Sequence, residues 1–176
     1  MTSEYIFAEV ERIHKKYETR DPFELLDDMG AITIISREFG RNGLKGYSTV
    51  ARRFKYAVIN GYLHEYERRI VAGHEAAHLT IHVDEITHSP LRALRDFSIW
   101  DNSGRIEYQA NLFLADFLLP DDEVMEAIKI EESDYFAASC ALYVPPPLLA
   151  FKLYSMMRRG YAVRPPVDLD SKFLGE

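Results

Sequence analysis

The chain has 176 residues, 47% of them hydrophobic, and a formal net charge of −7. That length and apolar content allow one sizeable core, while the negative balance argues against a general binder of nucleic acid or of anionic membranes, both of which need clustered positive charge. A single cysteine, Cys140, excludes an internal disulfide and suggests a reducing compartment or a core thiol, of which the buried thiol is the favoured reading.

No glycine- or serine-rich linker divides the chain, so one domain is expected over residues 1–162, followed by a weakly ordered tail over 163–176. The acidic start of the chain lacks the basic and apolar segments of a secretion signal, and no window approaches a membrane span. A cytoplasmic location without membrane contact is the expectation.

Residues 3–17 place Ile6, Val10, Ile13 and Tyr17 at helical spacing, with Ser3 as the expected N-cap. Asp21-Pro22 opens a short second helix that Gly30 closes. Three strand candidates follow, at 31–36, 45–51 and 54–60, each rich in β-branched or aromatic residues. Arg52-Arg53 leaves so short a connection that the last two form a hairpin, and a small, mostly antiparallel sheet is expected. One of its edges has a use beside a catalytic helix, because it can hold an extended peptide by backbone hydrogen bonds.

A long helix is expected over 62–82. It carries V-A-G-H-E-A-A-H-L, in which His74, Glu75 and His78 have the H-E-x-x-H spacing. Residues four apart on a helix share one face, so the two imidazoles can bind one zinc ion. Glu75 then lies beside the open position of the metal, where its carboxylate can take a proton from a bound water. A tetrahedral site needs one more protein ligand, and His82, Asp84, His88 and a carboxylate further on are the candidates. His82 lies about 12 Å along the axis from His74 at about 1.5 Å per residue, too far for both to reach one ion. Asp84 has the right offset for a metzincin-like third ligand but lacks the glycine that would turn the chain towards it.

Glu107 is the better choice. It opens the helical stretch I-E-Y-Q-A-N-L-F-L-A-D-F-L-L-P, where Glu107, Ala110, Asn111 and Leu114 share a face and Ile106, Phe113 and Phe117 supply a core face. Asn111, one turn on, is a candidate to steer a ligand. His88, Tyr62 and Tyr108 are conceivable donors to a developing oxyanion, and Asp84 and Asp96 conceivable orienting groups. The connection 83–104, with the polar turn W-D-N-S-G, could form a lip over a cleft. Further helices are expected from Asp121 to about 130, from a Ser133 cap through 142, and from Pro147 to Gly160. The last two could form a helix-turn-helix with Lys152, Arg158 and Arg159 on phosphates, a reading the acidic composition disfavours.

The segments D-P-F-E-L-L-D-D-M-G, L-K-G-Y, the H-E-A-A-H helix and E-Y-Q-A-N-L-F together resemble the ImmA/IrrE-type metallopeptidases of bacteria and their mobile elements, over residues 10–160. The resemblance implies an α+β, zincin-like fold in which a small sheet packs on the active-site helix and further helices follow. It also implies zinc held by His74, His78 and Glu107, with Glu75 as the catalytic base. The substrate it implies is a helix-turn-helix repressor of a prophage or mobile element, whose cleavage would derepress genes. Ala77 stands where the family usually has glycine, and Thr80 where an apolar residue is commoner; neither removes a ligand. The competing reading is a metal-stabilised antirepressor that binds the repressor without cutting it, and neither reading requires direct contact with nucleic acid.

Overall fold

The computed structural model describes residues 1–88, 104–130 and 134–165. Among them are eight helices and three strands, in the order α1 (Ser3–Tyr17), α2 (Pro22–Asp28), β1 (Ile32–Ser36), β2 (Gly46–Ala51), β3 (Phe54–Asn60), α3 (Glu65–Ile81), α4 (Val83–His88), α5 (Arg105–Leu118), α6 (Asp121–Ile130), α7 (Tyr135–Ala141) and α8 (Pro146–Arg158). The α+β class is as expected. Asp96, the W-D-N-S stretch, Ser133 and most of the expected tail lie outside the described residues. Backbone contacts gather the chain into two compact units, one of Ile13–Asp101 and one of Met1–Arg12 with Asn102–Glu176.

The first unit is a three-stranded sheet with helices. Its second helix starts as the sequence indicates: the Asp21 carboxylate accepts from the backbone N–H groups of Phe23 and Glu24, with Pro22 at the first helical position. Gly30, at φ 71°, lets the chain turn left-handed into β1. The sheet is mixed rather than mostly antiparallel, because β3 inserts between the other two: β1 pairs with it in parallel and β2 antiparallel. The connection from β1 to β2 runs from residue 37 to 45, long enough for the chain to step over the place β3 later fills. The expected hairpin is present, and both of its turn residues, Arg52 and Arg53, take positive φ.

Asn60, which reads in the sequence as half of a turn, is fully buried at the end of β3. Its amide donates to the carbonyls of Gly40 and Leu44, each at 2.9 Å, and its Oδ1 accepts from the N–H of Tyr62 at 2.9 Å. One side chain therefore fixes the path into β2 and the path out of β3. The Lys55 ammonium on β3 donates to the Leu79 carbonyl at 2.8 Å, near the C-terminal end of α3, where the helix dipole favours positive charge.

The second unit is helical. Phe113, Phe117, Leu148, Leu149 and Phe151 are buried along α5 and α8. A group of charges is buried with them. Lys152 donates to Asp116 at 2.9 Å and lies 2.7 Å from Asp121, Ser155 donates to Asp116 at 2.7 Å, and Arg159 binds both oxygens of Asp121. Lys152 is 1% exposed, so it is no phosphate contact, and Arg159 is committed to Asp121 and stacks over the Phe7 ring. That removes two of the three residues a helix-turn-helix reading needs.

Two caps differ from expectation. Thr2 rather than Ser3 accepts from the first turn of α1, and Asp134 accepts from the Phe136 and Ala137 N–H groups at the start of α7. Cys140 is exposed, not buried, because short α7 turns Ala138 and Ser139 inward and leaves the next position outside. Among the described residues no single helix is long and apolar enough to cross a membrane.

Candidate metal centre

The central helix α3 starts at residue 65, three later than the sequence suggests, because His64 caps it. The His64 ring accepts from the N–H of Tyr66, and Glu67 reaches back to the His64 N–H, a capping box with an imidazole in the place of the usual hydroxyl. From Ile70 to Leu79 every residue of the helix is buried. The alanines and the glycine among them leave room around the polar groups and offer no competing donor.

His74, Glu75 and His78 are each less than a tenth exposed. The four-residue spacing brings His74 Nε2 to 3.0 Å from His78 Nε2. Two donors held at about 2.0 to 2.1 Å from one ion at a tetrahedral angle stand roughly 3.3 Å apart, so the pair is near that separation already. Carboxylate and imidazole are the donor chemistry that zinc takes. His74 and His78 thus present two buried nitrogens that could hold a metal ion. Glu107 sits in the first turn of α5, where the positive end of the helix dipole favours its charge, and Asn111 is fully buried one turn later.

The other candidates fall elsewhere. Asp84 is exposed at the start of α4. Tyr62 is exposed, with the guanidinium groups of Arg37 and Arg41 over its ring. Tyr108, half-buried, packs edge-on against Phe151 and Tyr154, and burial pushes its phenol well above the ordinary range, so it serves packing. His82, unsuitable as a ligand, is fully buried, with its Nδ1 3.1 Å from Nδ1 of His78.

A residue that the motif does not reveal stands next to Glu75. Gly46 opens β2, and a Cβ there would lie 2.5 Å from Val71 Cγ1, 3.0 Å from the Val58 carbonyl oxygen and 3.5 Å from Glu75 Oε1. A side chain at the start of β2 would therefore collide with Val71 and the Val58 carbonyl and would reach the Glu75 carboxylate. L-K-G-Y carries this glycine in the sequence, but only the packing explains it.

A mixed sheet beside a buried helix with paired imidazoles and an adjacent carboxylate defines a peptidase-like class. The comparisons agree: residues 30–144 match the model of a peptidase family described as the IrrE N-terminal-like domain, and the chain belongs to that family. It is also 34% identical over 116 residues to the "Uncharacterized immunity region protein 2" of Bacillus phage phi105, covering 66% of this chain and 69% of that protein.

Proposed function

We propose that this chain is a zinc-dependent endopeptidase that cuts a helix-turn-helix repressor keeping a prophage or related element silent. The observation that carries the reading is the buried His74–His78 pair, its ring nitrogens 3.0 Å apart, with Glu75 beside it in the same helix. Family membership supports a metallopeptidase, and the phage relative's place in an immunity region supports a repressor as the target.

In this reading His74, His78 and Glu107 would hold the zinc. When bound, the ion would lower the pKa of a coordinated water and polarise a peptide carbonyl. Glu75 accepts the water's proton and delivers it to the leaving amine. Its burial strengthens its interaction with any positive charge nearby and keeps bulk water from competing. The substrate strand runs along β2, one of the two outer strands of the sheet, at whose first residue a side chain would reach Glu75. Asn111 steers a ligand from one turn beyond Glu107.

The test is to incubate the zinc-loaded protein with the repressor encoded beside it and to compare Glu75→Gln. Cleavage by the natural chain and at least a thousandfold loss in the variant, with zinc still bound, is the expected result. Release of the repressor from its operator by both proteins, with the repressor intact, would overturn hydrolysis and favour sequestration.

A further inference from the structure

We propose that His82 is a positioning residue for His78, fixing which nitrogen of that ring faces the metal; the inference rests on the reading of His74, His78 and Glu107 as the zinc set. The three histidines recur every four residues, so their rings rise in a column along one side of α3. Within the column, the contacts run nitrogen to nitrogen. Nε2 of His78 faces Nε2 of His74 at 3.0 Å, and Nδ1 of His78 faces Nδ1 of His82 at 3.1 Å.

Counting protons gives the second contact a role. An imidazole that binds a metal through one nitrogen does so as the neutral ring, with its hydrogen on the other. His78 turns Nε2 towards His74, so its hydrogen belongs on Nδ1, and that N–H donates to His82. The His82 Nδ1 is then the acceptor, and the hydrogen of that ring is on Nε2. The opposite arrangement, with His82 donating, would place the His78 hydrogen on Nε2 and close that nitrogen to a cation. Partners of this kind behind a metal-binding histidine set its tautomer and its orientation.

The backbone holds His82 in place for this. It is the C-cap of α3, its N–H donates to the His78 carbonyl at 3.0 Å, and its side chain is fully buried. The two rings are tilted by 45° with centroids 5.2 Å apart, so they meet at their edges and do not stack. A residue placed there only to fill space would need no nitrogen at that edge.

The test compares zinc affinity, by competition with a chromogenic chelator, among the natural chain, His82→Leu and His82→Asn, with folding checked by circular dichroism. Leucine fills the space without an acceptor, whereas the asparagine amide oxygen can occupy the place of Nδ1. The leucine variant should bind zinc roughly ten- to a hundredfold more weakly, and the asparagine variant within about threefold of the natural chain. A folded leucine variant with unchanged affinity would overturn the role of His82 while leaving the zinc set standing. A natural chain that binds no zinc would overturn both. Should the leucine variant not fold, nitrogen-15 NMR of the zinc-loaded natural chain decides. A hydrogen on Nδ1 of His78 and on Nε2 of His82 is expected, and the reverse on either ring would refute the proposal.

Discussion

Replacing Lys152 by methionine tests how the helical unit is held together. The ammonium lies 2.9 Å from Asp116 and 2.7 Å from Asp121, and both it and Asp116 are 1% exposed at the side chain. Removing one partner of a buried pair costs about 3 to 5 kcal/mol, because the other charge is left without compensation. The lower end applies here. Ser155 still donates to Asp116, and Arg159 remains 3.8 Å away. Burial already pushes the Asp116 carboxyl upward, against the pull of Lys152, and without the lysine it lies higher still. At about 3 kcal/mol, a chain of this size should lose roughly 6 to 12 °C in melting temperature. The folded carboxyl's raised pKa makes its charge a penalty above that pKa, relieved as the pH falls through it, so the cost should shrink on acidification through that value. Urea unfolding of Lys152→Met, Asp116→Leu and the double variant measures this directly. The double variant should recover most of the loss, since two apolar groups replace two charges. A single variant costing less than about 1 kcal/mol, or a double variant whose loss equals the sum of the two, would refute the reasoning.

Three further outcomes follow from the geometry. Gly46→Val should destabilise by about 1 to 3 kcal/mol in urea unfolding, since its side chain meets Val71 and the Val58 carbonyl, and should reduce peptidase turnover more than zinc affinity. Arg52→Asn with Arg53→Gly should stabilise by about 0.5 to 1 kcal/mol, because those residues accept the left-handed turn with less strain; an unchanged or lower midpoint would count against it. Burial would raise the Asp121 carboxyl, but hydrogen bonds from Arg159 and Lys152 outweigh it and hold the group well below the usual carboxylate range. Its contribution is therefore complete above about pH 4, where the unfolded group is ionised, and is lost as the pH falls towards the folded value. Asp121→Asn should lower stability at neutral pH and flatten its decline between about pH 4 and 2.

What could be read in advance was what local spacing encodes. The imidazole pair on α3, the Asp21-Pro22 start of α2 and the apolar face of α5 all follow from residues within a turn or two of each other. The position of β3 between its neighbours did not follow, because strand order is a long-range pairing that two edges with similar composition cannot announce. The same distance hides Asn60, whose partners lie 16 and 20 positions back, and Lys152, whose carboxylate is 36 positions away. A long basic side chain reads as surface unless its counter-charges are known. The exposure of Cys140 is hidden for the opposite reason: a helix of seven residues that is apolar at every position but Ser139 has no polar stripe to tell which side faces inward.

The continuous burial of α3 from Ile70 to Leu79 also constrains how this protein can diversify. The same ten positions serve as the keystone of one unit and as the bearer of its polar groups, so a substitution there is screened twice, for foldability and for chemistry. A lineage seeking a new target has little latitude on that helix. Change is more readily accommodated along the outer rim of β2 and at the exposed Asp84 in the first turn of α4, where side chains can be exchanged without disturbing the scaffold beneath.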